Sequence, residues 1–509
     1  MELAAVFQHL WAGLLLLASV ETWLAVTAGV AAGLVVGALP GLSATMGVAL
    51  LSPLTFFLPP LVGIPFLVGV YKGADVGGFV PAILIRTPGT NAAAATLLDG
   101  YPLAQKGYPN KALQTALTSS VTADCLSDFI LLFSAPFLAI VAKSLGVPER
   151  FTIIVLALAI VGSFIGVSPF RGLASAFLGL ILASVGVDTV TGSQRFLFDT
   201  VQLSDGFGIL PALIGLFAMS EVMRMAVKVE NVGYLEIRER TRRDDYLSWK
   251  EFRSLWPTIL RATGIGSLLG AAPGIGPSST AFVSYSVARR ASKNPEEFGK
   301  GSLEGISASE AGNSAVGGPN LIPLLTLGIP GSLVAAVLYS AFLAQGMQPG
   351  PRLFEEQGDL VYGLILSLIG ANVIVYFLGK GFMHMAKFVV NVPRHILAPA
   401  IAFIAVAGTY SVGNSYFDVG VMLAFGLLGF FMDRYKFPTV PLIIALILGR
   451  SLEVSLLQSM VIFRGDLTRF LDSPVCAVSL GLTVFVLWLG LRRLRRRETG
   501  GATVGSDTD

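Results

Sequence analysis

Gly37-Ala38-Leu39-Pro40-Gly41-Leu42-Ser43-Ala44-Thr45 ends a run of apolar residues that begins at Trp23. Proline inside a helix removes a backbone donor and clashes with the preceding turn, at a cost of about 3 kcal/mol, and the following glycine loosens the chain further. A break of this kind inside an apolar segment frees backbone N–H and C=O groups that lipid cannot satisfy. It therefore survives only where protein or a water-filled cavity surrounds it.

The pattern returns. Gly270-Ala-Ala-Pro273-Gly274-Ile-Gly276-Pro277-Ser278-Ser279-Thr280 repeats it in the second half of the chain. Gly77-Gly78 followed by Ile85-Arg86-Thr87-Pro88-Gly89-Thr90-Asn91 is echoed by Gly317-Gly318 followed by Leu327-Gly328-Ile329-Pro330-Gly331-Ser332. Leu103-Ala104-Gln105-Lys106-Gly107 is matched by Leu343-Ala344-Gln345-Gly346. Three echoes in one order, at a spacing of roughly 240 residues, indicate a duplication of the kind seen in secondary transporters. The loop after the first break, Phe56–Leu61, carries no charge. Its counterpart holds Arg289, Arg290, Lys293, Glu296 and Glu297. Equivalent loops of opposite charge character predict that the two repeats are inverted in the membrane.

The composition agrees with a membrane setting. Of 509 residues 54% are hydrophobic and 13% charged, about half the charged share of a soluble domain, so the chain lacks the ionic surface to solvate itself. Apolar runs recur at Trp23–Leu39, Phe129–Ala142, Phe151–Val167, Gly172–Val187, Gly208–Ala226, Leu360–Leu378, Ile396–Ala407, Val419–Phe431 and Pro474–Leu491. The expected fold is an all-α integral membrane protein with about 10–12 transmembrane or re-entrant helices in two inverted repeats with Pro-Gly-broken helices. The first repeat spans residues 1–227. A charged cytoplasmic linker of alternating sign follows at 228–255, then a second repeat at 256–491 and a basic, then disordered, tail at 492–509. Arg492, Arg493, Arg495, Arg496 and Arg497 directly follow the last apolar run and place the C-terminus in the cytoplasm. No Lys or Arg precedes Lys72, so the first apolar segment is expected to be retained rather than cleaved.

Several functions are disfavoured. The net charge of +3 comes without a basic stripe for nucleic acid. Cys125 and Cys476 make no disulfide framework or metal set, and no cofactor is expected beyond a possible coupling Na⁺ or H⁺. His9, His384 and His395 stand in no metal-ligand spacing, no G-x-S-x-G elbow occurs, and the Gly270–Gly276 glycines lack the Lys-Ser/Thr ending of a phosphate loop.

The freed N-termini of half-helices offer N–H donors and a positive dipole end to an anion, and freed carbonyls can hold Na⁺. Candidate substrate- or ion-binding residues are therefore Pro40, Gly41, Ser43, Thr45, Thr87, Pro88, Gly89, Thr90 and Asn91 in the first half. Pro273, Gly274, Ser278, Ser279, Thr280, Pro330, Gly331 and Ser332 are their counterparts in the second. The alternative is that each break is a packing kink whose hydroxyls bond back to their own helix. Asp75 and Arg86 flank one break, and Glu310 with Asn313, at helical spacing, precede the other. Ionisable groups at this depth are expensive and mark pathways. Arg86 suits either a carboxylate substrate or Asp75. Lys72 and Glu304 are expected to snorkel to an interface. A channel and an intramembrane hydrolase using Ser43 or Ser278 are the competing classes.

At these residues the sequence resembles the large membrane subunit of the tripartite tricarboxylate transporter family. The resemblance lies in the Gly-x-x-Pro-Gly-x-Ser/Gly signature of each half and in Glu297-Phe298-Gly299-Lys300-Gly301, Ser309-Glu310-Ala311-Gly312-Asn313, Pro323–Gly331 and Gln348-Pro349-Gly350-Pro351. It covers roughly Leu24 to Leu491. The resemblance implies a secondary transporter of the bacterial inner membrane, driven by Na⁺ or H⁺. It would work with a small membrane subunit and a periplasmic solute-binding protein that delivers a small organic anion such as a di- or tricarboxylate. The chain departs from the family where Val76-Gly77-Gly78-Phe79 replaces Tyr-Gly-Gly-Ser and where Arg86-Thr87-Pro88-Gly89-Thr90 replaces Asn-x-Pro-Gly-Glu. Arg86 and Thr90 make this side of the site more positive, which implies a substrate of different charge or shape.

Overall fold

The structure, a computed structural model, describes residues 3–39, 41–164, 168–188, 190–227, 244–390 and 394–500. Pro40, most of the charged linker and the end of the C-terminal tail lie outside the described residues.

The first half contains α1 (Leu3–Leu16), α2 (Val20–Ala38), α3 (Ala44–Leu51), α4 (Pro60–Ile85), α5 (Ala93–Gln105), α6 (Pro109–Lys143), α7 (Val147–Phe164) and α8 (Pro169–Ala183). A two-stranded hairpin pairs Gly186 with Arg195. The span at Ile209–Val227 follows, made of α9 (Ile209–Ile214), a π turn and α10 (Ser220–Val227). The second half contains α11 (Trp249–Gly270), α12 (Pro277–Ala291), α13 (Leu303–Ser314), α14 (Leu321–Leu327), α15 (Leu333–Ala344), the short α16 (Leu353–Glu356), α17 (Gly358–Val390), α18 (Arg394–Gly413), α19 (Tyr416–Arg434), α20 (Thr439–Ile462) and α21 (Pro474–Gly500).

Among the described residues nine helices are long and apolar enough to cross a membrane, with shorter apolar helices beside them. Large apolar side chains on the outer helices face outward, among them Phe133, Phe177, Phe377, Phe403 and Val484. In water such a surface would drive aggregation; in a bilayer it is the solvated face. The protein is an all-α, multi-pass membrane protein.

α4 has no counterpart among the expected apolar runs. Lys72, Asp75 and its glycines lower its hydropathy, yet it is the most enclosed of the nine spans. A helix surrounded by protein can carry polar residues that a lipid-facing helix cannot.

Its tightest neighbour is α2. Gly29, Gly33 and Gly37 face the carbonyls of Phe66, Val70 and Ala74, while Gly73 and Gly77 face those of Val30 and Leu34. A Cβ on Gly33 would stand 2.2 Å from the Val70 oxygen, so only glycine allows the two backbones to meet.

The directions of the central helices follow from which residues touch. α2 and α4 run parallel, since Gly29, Gly33 and Gly37 meet Phe66, Val70 and Ala74 in ascending order. α4 and α17 are parallel through Leu61 against Gly363 and Val76 against Gly379. α6 runs against α17, because Asp128 bonds Asn372 while Leu117 meets Gly379. α6 and α13 are parallel through Ser119–Ser307 and Ser120–Ser314, and α11 joins them through Thr258–Glu304 and Gly266–Gly312. Thus α2, α4 and α17 run one way and α11, α13 and α6 the other. The helices that carry or lead into the sequence echoes, α2 with α11 and α4 with α13, point in opposite directions, as inverted repeats require.

Candidate functional site

The breaks come together two by two. In the first half, Gly89 donates its N–H to the Gly78 carbonyl at 3.0 Å. A Cβ on Gly89 would lie 2.0 Å from the carbonyl of Gly37, just ahead of the other break. Thr90, buried, packs its hydroxyl and methyl onto the bare face of Gly78. In the second half, the Gly274 N–H donates to the Gly331 carbonyl at 2.8 Å, and Gly331 sits against the side chain of Asn320. Gly41 and Gly274 take φ of +97° and +88°, the left-handed region in which glycine follows proline in both copies. Across the halves, α3 packs against α15 and α5 against α12. The helices that leave the four breaks therefore meet as two cross-half pairs, α3 with α15 and α5 with α12.

The hydroxyls beside the breaks divide into two groups. Ser43 accepts the Met46 N–H and Ser332 the Ala335 N–H, each capping the helix that restarts after its break. Thr280 donates to the Pro277 carbonyl and Thr87 to that of Ile85, as the packing-kink reading expects. Ser278 and Ser279 make no side-chain hydrogen bond among the described residues; Ser279 is exposed and Ser278 half-buried. Thr45 is buried, Pro88 and Pro273 are half-buried, Asn91 is exposed, and Pro330 is buried.

Arg86 adopts φ 59° at the end of α4 and lays its guanidinium 5.8 Å over the Tyr101 ring. It is exposed and forms no ion pair with Asp75, so that of its two expected partners the acid is not engaged. The left-handed conformation favours Asn among side-chain-bearing residues. The change from the family's Asn thus alters a helix terminus as well as a charge.

Lys72 corrects an expectation. It does not snorkel: it is 4% exposed, and its Nζ lies 2.6 Å from Asp124 Oδ2, 2.8 Å from Asp128 Oδ2 and 3.1 Å from Asn372 Oδ1. A lysine this deep is held by partners, not by reach to an interface. Glu304 is half-buried and accepts from Thr258 and Ser292. Glu310 and Asn313 lie on α13, buried on every face from Gly305 to Ser314 rather than on one lined face. Glu310 accepts a hydrogen bond from Thr96, and Thr96 also meets Ser309 at 3.1 Å.

Several polar residues went unread in the sequence. Asp124 and Asp128, at helical i, i+4 spacing, sit just before the apolar run assigned from Phe129, inside what is one helix from Pro109 to Lys143. Paired acids one turn apart in a membrane helix were the available signal. Asp99, fully buried, accepts the N–H groups of Gly299, Gly301 and Ser302, each at 2.8 Å, and the Tyr285 hydroxyl at 2.8 Å. It ties α5 of the first half to the start of α13 in the second.

The second-half break borders a cavity of about 830 Å³. Gly328 and Ile329 form part of its wall, with Tyr339, Gln348 and the flanks of α7 and α20. Three arginines line it. Arg195 is neutralised by Asp188 and Glu453. Arg150 and Arg450 are exposed and have no acidic partner among the described residues. The lining charges balance, three arginines against Asp188, Asp205 and Glu453, so a small anion would be drawn by the local reach of Arg150 and Arg450 rather than by a net positive field.

A protein from Agrobacterium vitis, described as "Uncharacterized 52.8 kDa protein in TAR-I ttuC' 3'region", is 37% identical over 463 residues, which are 91% of this chain and 92% of that protein. A second from the same organism, "Uncharacterized protein in TAR-II ttuC' 3'region", is 39% identical over 226 residues, 44% of this chain and 93% of its own length. No solved structure matches. Residues 23–444 match the family described as the tripartite tricarboxylate transporter TctA family. With most of its length inside that match and its broken helices paired as the signature residues require, the chain belongs to the TctA family of tripartite tricarboxylate transporters.

Proposed function

We propose that the protein is the large permease subunit of a secondary-active transporter that imports a small organic anion, a di- or tricarboxylate, across a bacterial inner membrane. A periplasmic binding protein delivers the anion, a small membrane subunit completes the permease, and a Na⁺ or H⁺ gradient drives uptake. Residues 1–227 and 256–491 act as two inverted repeats joined by a cytoplasmic linker at 228–255, with the C-terminus also cytoplasmic.

The observation that carries this reading is the second-half break, which borders a cavity holding the unpaired Arg150 and Arg450. An anion there meets two guanidinium groups and lies beside the segment that leads to Pro330 and the N-terminus of α15. Membership of a transporter family supports movement over catalysis.

The test is uptake in vesicles that contain the permease and its small subunit, with labelled di- and tricarboxylates. Accumulation that requires both an ion gradient and the binding protein is expected. Uptake that runs only down the anion's own gradient, with or without the binding protein, would make the protein a channel. Arg86→Asn is expected to shift preference among carboxylates of different charge; an unchanged preference would remove Arg86 from recognition.

A further inference from the structure

The network around Lys72 contains more acid than an ion pair needs. One ammonium balances one carboxylate, yet Lys72 is bonded by both Asp124 and Asp128, and Asn372 Nδ2 donates to Asp128 Oδ2 at 2.7 Å. Asp75 stands one turn along α4 with no hydrogen-bond partner, and Glu310 lies near it on α13. Two carboxylates thus share one lysine, with the half-buried Asp75 and the buried Glu310 as further acids on the neighbouring turns of α4 and α13. If all were ionised the cluster would carry a net −3 (one lysine against Asp75, Asp124, Asp128 and Glu310), a charge that low-dielectric surroundings do not support.

A second observation marks two free acceptor positions in the cluster. Asp124 Oδ1 and Asp128 Oδ1 are buried and accept nothing, and the nearby Tyr71 hydroxyl is also unpartnered. Both free oxygens face the Gly317-Gly318 turn: a Cβ on Gly317 would lie 3.2 Å from Asp124 Oδ1, and one on Gly318 2.9 Å from Asp128 Oδ1. A proton needs only a free lone pair. Two hydroxyl pairs bridge α6 and α13 just ahead of Asp124 in the chain, Ser119–Ser307 at 2.9 Å and Ser120–Ser314 at 2.6 Å.

We propose that Asp124 and Asp128 form a proton-carrying pair, with Lys72 as their resident counter-charge, that couples anion movement to the pH gradient. A carboxylate oxygen gains a proton on one side of the membrane, forming an O–H bond, and gives up the same proton on the other; no electrons move. Protonation of either acid weakens its hold on Lys72 and so loosens α4 from α6. Because the free oxygens abut Gly317-Gly318, the change reaches α14 and the break at Pro330. The titratable groups that face the pair are Tyr71, Lys72 and Asp75 from α4, Cys125 on α6 itself and Glu310 from α13, while α17 contributes the neutral Asn372.

The inference rests on the transport reading above, and one experiment separates the two. The complete transporter in vesicles is assayed for accumulation under an imposed pH gradient and for substrate exchange with no gradient. Asp124→Asn and Asp128→Asn are expected to lose about tenfold or more of the pH-driven accumulation while keeping exchange. Should Asp128→Asn not reach the membrane, Asp128→Glu keeps the acid but moves it, and is expected to shift the pH midpoint of accumulation. Unchanged pH-driven accumulation in the Asn variants, or an unchanged midpoint in the Glu variant, overturns the proposal. Accumulation by the wild type that follows Na⁺ and ignores pH overturns it and leaves transport standing. Exchange lost together with accumulation at normal membrane levels would make the network purely structural. Absence of both uptake and exchange in the wild type would remove the transport reading and this one with it.

Discussion

The same Pro-Gly signature serves two surroundings. In the first half the break is locked on its helix side, with Gly41 and Asn91 exposed on the other: Gly89 presses on Gly37 and Gly78, and the helices on either side meet backbone to backbone along the Gly29–Gly37 and Gly69–Gly77 edges. In the second half the equivalent segment is loose on one side. Gly276 has no neighbour within 4 Å of its Cβ position, Ser279 is exposed, and Gly328 borders the cavity. A signature in the sequence marks where a helix stops, whereas the neighbours decide whether the stop is a lock or an opening.

The contrast is sharpest in what substitution should do. Gly33→Leu forces atoms into the Val70 carbonyl, and a loss above about 4 kcal/mol is expected, seen as failure to recover monodisperse protein in detergent. Asp99→Ala removes a buried acceptor of three N–H groups and a hydroxyl, and about 3–5 kcal/mol of stability should go with it, measured as a lower unfolding temperature in detergent. Arg150→Ala with Arg450→Ala leaves folding intact and raises the half-saturating anion concentration about tenfold, equivalent to about 1.4 kcal/mol. Gly276→Ala is the opposite pole, with a stability change within about 0.5 kcal/mol by thermal unfolding. Equal effects of Gly33→Leu and Gly276→Ala would erase the distinction between the halves.

Much of the fold was legible. Duplication, broken helices and opposed repeats follow from Pro40, Pro88, Pro273 and Pro330 and from the charge of two loops, because proline and lipid act locally. The helix beginning at Pro60 was not legible by hydropathy, since enclosure by α2, α6 and α17 replaces lipid and lifts the demand for apolar side chains. The Gly-x-x-x-Gly spacing of Gly29, Gly33 and Gly37 held the missing clue.

The site was legible in its backbone and less so in its charges. Ser43 and Ser332 cap helices as the breaks demand, yet the partners of Lys72 lie 52, 56 and 300 residues away. No local pattern joins α4 to α6 and α17. Asp124 and Asp128 by contrast could have been found from their own spacing.

Ion-driven import as proposed above requires the first-half break at Pro88 and the second-half break at Pro330 to open to opposite faces in turn. Thr87 lies beyond the end of α4 and Gln348 ahead of the start of α17, and because these helices are parallel the two positions stand at opposite ends of the bundle. In a background lacking Cys125 and Cys476, Thr87→Cys and Gln348→Cys are each exposed to an impermeant thiol reagent from either face of sealed vesicles. Each is expected to be modified from one face only, the two faces being different. Substrate with its binding protein should lower the rate at one position and raise it at the other. Simultaneous modification of both, with no reciprocal change on adding substrate, would contradict it.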